Sequence, residues 1–370
     1  MKLAWKELRR RPGRFAAAGV ILTLIAVLLM FLGGLLDGLI ASSTGALRAQ
    51  QADLIVYSDS SKDSITRSRI EPDVRAQVEQ AAGSAKVGGL GSVQLGARLP
   101  DSGVRDLVPV VLFGYEIAPD GLPDELPEDG EVYADSSLEA EGVTKGMQLE
   151  LGPARTKVTV VGFLSDSQYS GQGTLWGTLG TWRSVLDANR PDAAVGDDVV
   201  QALVVQDGSG APASAAAIDR ATDGATHALT IDGAIEALPG VSQQQATFNQ
   251  IIGVTVVIAI VVIALFFALL TIERTALYGV LKAIGASSRS LFAGVVLQAV
   301  VLTLAAAGLG AAAALVLDAV IPAGTIPFTA TPARLVSSTA YLLVAAVVGC
   351  AFSLRRVLKV DPAAAIGGSQ

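Results

Sequence analysis

The sequence predicts a membrane α-helical protein with four transmembrane helices and a large α+β extracytoplasmic domain between helices 1 and 2. The first observation is a set of four apolar runs, at residues 15–40, 249–271, 291–321 and 338–353. Each run is long enough, or nearly so, to cross ~30 Å of hydrocarbon as a helix that rises about 1.5 Å per residue. Hydrophobic residues make up 51% of the chain, which is more than an ordinary soluble protein carries.

The second observation is an unequal distribution of charge. Segments 1–14, 272–290 and 354–370 together carry twelve Lys or Arg and three acids, whereas 41–248 carries fourteen Lys or Arg and twenty-nine Asp or Glu. Because basic loops are retained in the cytoplasm, the pattern predicts an N-in, C-in topology. Abundant Ala, Gly and Val with few Lys indicates a GC-rich bacterial genome, so the expected location is a bacterial cell membrane. The acidic outer domain argues against a nucleic-acid partner, and the basic inner face suits anionic membrane lipid.

The amino-terminal part is predicted to be a cytoplasmic interfacial segment, 1–14, followed by transmembrane helix 1 at 15–40. A signal peptide is the alternative, but its apolar region spans roughly 7–15 residues, fewer than this run contains. Gly34 and Gly38 have a small-xxx-small spacing that lets another helix approach closely. Asp37 is interpreted either as a functional carboxylate in the membrane or as a solvated acid at its boundary.

Residues 41–248 are predicted to form the α+β domain with stalks, because short apolar stretches alternate with turn residues. The strand candidates are 52–57, 108–114, 148–151, 158–163 and 199–205. Helices are predicted at 73–82 and at 214–221, the second capped by Ser214. The proline-rich stretch 119–130 is predicted to be a loop.

The carboxy-terminal part is predicted to contain the remaining three transmembrane helices. They are helix 2 at 249–271, helix 3 at 291–321 and helix 4 at 338–353, and the segments between and after them are the cytoplasmic loop 272–290, the outer loop 322–337 and the cytoplasmic tail 354–370. Small residues are abundant in helix 3, which suits close helix packing.

No motif in the sequence points to catalysis. The chain has no G-x-x-x-x-G-K-[ST] phosphate loop, and one Cys with one His cannot build a Cys/His zinc cluster. His227 has no G-x-S-x-G nucleophile motif to accompany it and is interpreted as a surface residue near a turn. The chain is therefore predicted to be a non-catalytic subunit with no cofactor of its own.

The stretch that follows helix 2, 272–287, resembles the cytoplasmic loop of the MacB/FtsX-like permease family, the transmembrane subunits of type VII ABC transporters. The tail 355–366 and the segments 131–138, 142–151 and 158–162 are similar to other parts of these permeases. The one-plus-three order of the spans is also the family topology. The resemblance implies that the loop couples to a separate ATPase, which binds ATP and Mg, through Glu273, Arg274, Tyr278, Gly279, Lys282, Gly285 and Ser287.

Residues 1–40 look most like the haem-exporter/DevC-like branch of this family, in which a methionine of the first span is implicated in holding haem. Met30 matches that position. The resemblance implies a substrate contact at Met30. Gly34 and Gly38 join it in the predicted substrate-binding region, because their small-residue face is expected near a contact between the first and second spans of two copies. The alternative interpretation of Met30 is a flexible apolar side chain that fills a gap.

The function implied is a permease subunit that exports a hydrophobic or amphiphilic compound, such as a haem-like molecule, a lipid or a drug. The expected partners are a cytoplasmic ABC ATPase dimer, a second copy of this chain, the hydrophobic substrate and membrane lipid. The alternative is an FtsX-like mechanotransmitter that regulates an extracytoplasmic enzyme and moves no substrate. A membrane-anchored sensor without an ATPase is a third interpretation, which the coupling loop disfavours.

Overall fold

The computed structural model describes residues 12–100, 103, 106–196, 198–207, 214–273, 280, 284, 287–321 and 326–357. The chain divides into two compact units. The membrane unit comprises Met1–Asp37, Gln245–Ile321 and Phe328–Gln370, and the sheet unit comprises Gly38–Gln244 and Pro322–Pro327.

Four long helices contain the apolar runs, so the prediction of four helices fit to cross a membrane is confirmed. In the described residues the helices are, in chain order, α1 (Pro12–Arg48), α2 (Pro72–Ala82), α3 (Leu179–Asn189), α4 (Ala215–Ala221), α5 (Ile231–Ala237), α6 (Val241–Ile272), α7 (Ser288–Val320) and α8 (Pro332–Val357). The four long ones are α1, α6, α7 and α8. Their orientation across the membrane remains a prediction.

Three of these helices extend six residues or more beyond one end of the predicted apolar run. Helix α1 continues to Arg48, α6 begins at Val241 and α8 begins at Pro332. The added turns carry polar side chains such as Arg334, which lower the hydropathy of a segment without breaking the backbone hydrogen bonds of a helix. The predicted outer loop 322–337 therefore ends earlier than hydropathy suggests.

Small residues allow close contacts between helices of the membrane unit. A Cβ atom at Gly310 of α7 would come within 2.8 Å of Ala26 Cβ in α1, so these helices touch through their smallest side chains. At Gly349 of α8, a Cβ atom would lie 2.8 Å from the carbonyl oxygen of Ile260 in α6. These contacts agree with the packing expected where no hydrophobic effect drives helices together.

The described part of the sheet unit contains one mixed sheet. Its strands are β1 (Leu54–Ser58), β2 (Lys86–Arg98), β3 (Val108–Tyr115), β4 (Glu131–Asp135), β5 (Gln148–Leu151), β6 (Thr156–Leu164), β7 (Gly173–Thr178), β8 (Ala202–Gln206) and β9 (Thr226–Thr230). The order is β3-β7-β4-β6-β5-β2-β8-β1-β9, and β2 also pairs with β3. Six strands, from β3 to β2, therefore close into a barrel-like ring, and β8, β1 and β9 extend from it.

The strand predictions located β1, β3, β5, β6 and β8 and missed β2, β4, β7 and β9. Strand β2 was missed because it contains several glycines, and glycine is depleted in strands. Packing explains the glycine at position 91. A Cβ atom at Gly91 would lie 2.6 Å from Trp182 Cδ2, because the indole ring of Trp182 in α3 rests directly on the β2 backbone. A contact with another element thus explains why β2 contains a glycine, which local strand propensity disfavours.

The helix predictions at 73–82 and 214–221 correspond to α2 and α4, whereas α3 and α5 were not predicted. Ser214 occupies the N-cap position of α4, but its side chain makes no capping hydrogen bond. Residues 119–130 contain no helix or strand, as expected of a loop.

Candidate functional site

The three predicted substrate residues lie on helix α1. Met30 is buried, with 1% of its surface exposed, and Gly34 and Gly38 are buried as well. A Cβ atom at Gly34 would come within 2.5 Å of Phe328 Cε2, and the Gly34 carbonyl accepts a 3.1 Å hydrogen bond from Thr329 N. Phe31 stacks on Phe328, with ring centroids 5.6 Å apart. In this structure, the surface of Gly34 is therefore covered by a segment of the same chain.

An ion pair lies next to this contact. Arg334 Nε donates a 3.0 Å hydrogen bond to Asp37 Oδ2, and a terminal guanidinium nitrogen donates to Oδ1. Thr331 Oγ1 donates to the same Oδ2 at 3.0 Å and accepts from Arg334 N at 3.2 Å, so it also caps the first turn of α8. Asp37 is thus a paired carboxylate, and its position at the membrane boundary stays a prediction.

Glycine makes room for this ion pair. The side chain of Arg334 crosses α1 directly over Gly33, where a Cβ atom would lie 2.9 Å from Arg334 Cγ. Each partner exposes one fifth of its side chain. A planar guanidinium that meets a carboxylate through two parallel hydrogen bonds is a strong and directional pair. The site therefore holds α1 against α8 through charge.

A third charged residue lies near the same end of the membrane unit. Asp318 Oδ1, near the end of α7, accepts a 3.0 Å hydrogen bond from Ala330 N. Asp37, Asp318 and Arg334 are the only charged residues of the sequence outside 1–14, 41–248, 272–290 and 354–370. All three make polar contacts with the segment 330–334 or belong to it, so the charges of the predicted spans and their boundaries have a structural role.

The carboxy-terminal end of α1 is held within the sheet unit by a loop. We call this loop, residues 166–172, the clamp loop. The carbonyls of Ser42 and Ser43 accept hydrogen bonds from Gly171 N (3.0 Å) and Ser170 N (3.1 Å), and Ala46 N donates to the Gln168 carbonyl (2.9 Å). Gly45 faces the loop so closely that a Cβ atom would overlap the Asp166 carbonyl oxygen. The contact is made by backbone atoms.

A buried hydrogen-bond chain supports the clamp loop. Asp135 at the end of β4 is 1% exposed, and its Oδ2 accepts from Ser167 N (2.9 Å) and Ser167 Oγ (2.7 Å). Ser167 Oγ also lies 2.9 Å from Thr174 Oγ1, which accepts from Trp176 Nε1 at 2.8 Å. A satisfied buried network of this kind rigidifies its surroundings. The end of α1 is thus fixed to strands β4 and β7.

The predicted ATPase-coupling loop falls mostly outside the described residues. This applies to Arg274, Tyr278, Gly279, Lys282 and Gly285. Glu273 is the residue after α6, with its N–H donating to the Leu269 carbonyl at 3.1 Å, and Ser287 is exposed just before α7. The coupling role of these residues stays a prediction.

His227 is the remaining titratable residue that the sequence singled out. It lies in β9, and its Nδ1 is 2.6 Å from Asp63 Oδ1. The hydrogen bond to Asp63 raises the pKa of His227 above its usual value, and burial opposes this increase. In the described part of the chain, no three His, Cys, Asp or Glu side chains come close enough to hold a metal ion.

Comparison with known proteins finds a family model that matches the carboxy-terminal part of the chain. Residues 249–362 match the family model for the FtsX-like permease C-terminal region. The match begins where transmembrane helix 2 was predicted to begin, and it includes the whole predicted coupling loop.

Two longer alignments span the whole of this sequence, and the matched proteins are named as permeases. The protein named "Putative hemin transport system permease protein HrtB" in Staphylococcus haemolyticus is 22% identical over 375 residues, which cover 100% of each chain. Its namesake in Staphylococcus epidermidis is 21% identical over 371 residues, again 100% of each. An uncharacterized ABC transporter permease of Mycobacterium bovis is 38% identical over 113 residues, 30% of this chain and 31% of the relative.

Proposed function

We propose that this chain, which has four helices long and apolar enough to cross a membrane and matches the FtsX-like permease C-terminal model over residues 249–362, is the non-catalytic permease subunit of an ABC exporter for a hydrophobic or amphiphilic compound. The single observation that carries the proposal is the match over 249–362, since this part contains the predicted docking site for an ATPase. ATP and Mg would bind in that partner, which would act as a dimer with two copies of this chain.

The attachments of helix α1 support a mechanical role. The same helix is held to α8 by the Asp37 ion pair and to the sheet by the clamp loop. An ATPase in the cytoplasm cannot reach an extracytoplasmic domain, so any movement must travel along helices. For this to work, ATP must bind one arrangement of the permease more tightly than another.

A haem-like molecule is the substrate that the comparisons favour, because the relatives aligned over their full length are named as hemin transport permeases. We propose that the substrate contacts α1 near Met30, Gly34 and Gly38, at a surface shared with the second copy. A thioether can bind haem iron. Met30 is buried and Gly34 is covered by Phe328. Access would therefore require movement of the segment that holds Phe328.

The proposal predicts that hemin stimulates ATP hydrolysis by the complete complex in liposomes. Because Met30→Ala removes the thioether, it should raise the hemin concentration for half-maximal stimulation about tenfold, which corresponds to ~1.4 kcal/mol. Leu28→Ala is the matched control, since Leu28 is two positions away and 46% exposed. A phospholipid and a cationic amphiphilic drug are tested in parallel.

The results separate the two candidate functions. Stimulation by the lipid or the drug but not by hemin would keep the export proposal and exclude haem. If no compound stimulates hydrolysis and Met30→Ala behaves as the unmodified chain, export is contradicted. The mechanotransmitter is then favoured, because the clamp loop ties α1 to a large domain.

The proposed N-in, C-in topology and the ATPase contact can be tested together. Single cysteines at Asp124 and Ser287, both exposed, are introduced into a Cys350→Ala background. On intact cells, a membrane-impermeant thiol reagent should label Asp124→Cys and spare Ser287→Cys. In inside-out vesicles Ser287→Cys should be labelled, and added ATPase should protect it. The reverse pattern on cells would contradict the topology, and unchanged labelling with ATPase would contradict the docking site.

A further inference from the structure

The sheet unit contains a cavity of about 410 Å³, open to solvent on one side, that the proposed substrate region does not use. Its walls come from the end of α1 at Ser43, the 64–66 loop, the clamp loop at Tyr169 and the chain that leads into α6 at 238–244. Sites for small molecules commonly measure about 300–1,000 Å³. The cavity is therefore large enough for a small ligand.

Several polar groups around this cavity have unused hydrogen-bonding capacity. Ser43, Gln94, Ser170 and Gln244 line it, and among the described residues none of these four side chains makes a hydrogen bond to the protein, so each is free to exchange water for a ligand. Hydroxyl and amide groups can both donate and accept. They suit a ligand whose own groups also donate and accept hydrogen bonds, as hydroxyl groups do.

The lining of the cavity is uncharged. Tyr169 is the one ionisable residue among those that line it, and burial raises the pKa of its phenol to about 12, so it stays neutral at physiological pH. Asp63, next to the lining residue Ser64, is already paired with His227. Because a charge removed from water without a partner is costly, the cavity disfavours carboxylates and ammonium groups.

One wall of the cavity is apolar. Ile65, Leu238 and Val241 line it and belong to the hydrophobic core of the sheet unit, each less than one tenth exposed. A ligand that fits must therefore present hydroxyls at its edge and carbon at its face. A pyranose ring has this distribution.

We propose that this cavity binds an uncharged, hydroxyl-bearing ring, which is either a free sugar or the glycosyl headgroup of a lipid. Ser43 belongs to α1 and Gln244 to α6. A bound ring would therefore bridge the ends of the two longest helices that enter the sheet unit, and hold them at one separation.

The test measures binding to the full chain in phosphatidylcholine nanodiscs by saturation-transfer NMR, with three probes. Methyl β-glucoside represents a free sugar, octyl β-glucoside below its micelle concentration represents a lipid headgroup, and glucuronate adds a charge. We expect saturable binding of one or both glucosides and at least about tenfold weaker binding of glucuronate. Removing two hydrogen bonds in Gln94→Leu/Gln244→Leu should weaken glucoside binding about tenfold.

Gln245→Leu is the matched control, because Gln245 is exposed beside Gln244 and does not line the cavity. It should bind as the unmodified chain does. Binding of both glucosides assigns a free sugar, and binding of the octyl form alone assigns a lipid. The proposal is overturned if neither glucoside binds saturably, if glucuronate binds equally well, or if the double variant binds normally with an unchanged melting temperature. No ATPase is present, so these outcomes do not bear on export.

Discussion

Helix α1 is held at two places by different chemistry. At Asp37 the contact is made by charged side chains, whereas at residues 42–46 it is made by backbone amides and carbonyls of the clamp loop. A charged contact depends on two particular residues, and loss of either leaves the other without its partner. A backbone contact survives most substitutions and fails where a side chain has no space, as at Gly45.

The difference indicates which of the two contacts can separate more easily. The Asp37 pair can separate if water or another partner replaces its hydrogen bonds, since each side chain remains one fifth exposed. The clamp loop is fixed by a buried network that includes Asp135, which is 1% exposed. We therefore expect the membrane unit to rearrange at the ion pair, with the clamp loop staying intact.

The largest effect is expected from Asp37→Ala. Breaking a buried ion pair costs about 3–5 kcal/mol, and partial exposure of this pair lowers the expected loss to about 2–3 kcal/mol. The measurement is chemical unfolding of the full chain in detergent. The double variant Asp37→Leu/Arg334→Leu should lose less than the single variant, because it leaves no uncompensated charge. An Asp37→Ala protein as stable as the unmodified chain would show that the pair does not hold α1.

A smaller loss of stability is expected from Gly45→Val. Its Cβ atom would lie 2.9 Å from the backbone nitrogen and oxygen of Gln168, and overpacking of this kind costs about 1–3 kcal/mol. If α1 moves the sheet through the clamp loop, the complex of this variant with its ATPase should still hydrolyse ATP, but substrate should stimulate that hydrolysis less. Gly308→Val is the control, since a Cβ atom at Gly308 meets nothing within 4 Å. If both substitutions changed stability and substrate response equally, the clamp loop would have no special role in coupling.

The smallest effect on stability is expected from the ion pair between His227 and Asp63. This pair is more exposed than the Asp37 pair, since 45% of the histidine side chain is accessible to solvent. His227 is the one histidine of the sequence, so its NMR titration is unambiguous. Its pKa should lie above 6.5, and Asp63→Asn should lower it, because the Asp63 hydrogen bond is the main cause of the increase. The protonated pair stabilises the fold below pH 6.5, and this contribution is lost as pH rises through the raised pKa. A pKa unchanged by Asp63→Asn would contradict the pairing.

The comparison of the two contacts also explains which parts of the candidate site were predictable. Met30, Gly34 and Gly38 could be singled out because a motif and a resemblance mark them within one short segment, and their role as substrate contacts stays a prediction. The Asp37 pair was missed because Arg334 lies almost three hundred positions away and no local pattern joins them. Gly45 and the clamp loop were missed for the same reason, since the contact uses backbone atoms that every residue carries.

The sequence by itself determined the four long helices, the charge asymmetry, the presence of a sheet-rich domain between helices α1 and α6, and the resemblance to FtsX-like permeases. These features depend on composition and on short-range order, which the chain displays without folding. Only the tertiary structure decided that Phe328 covers Gly34, that Arg334 neutralises Asp37 and extends α8 beyond its apolar run, and that glycine-rich β2 closes a ring of six strands. Each of these features depends on which distant residues come into contact. Those contacts are decided only by the close packing of the folded chain.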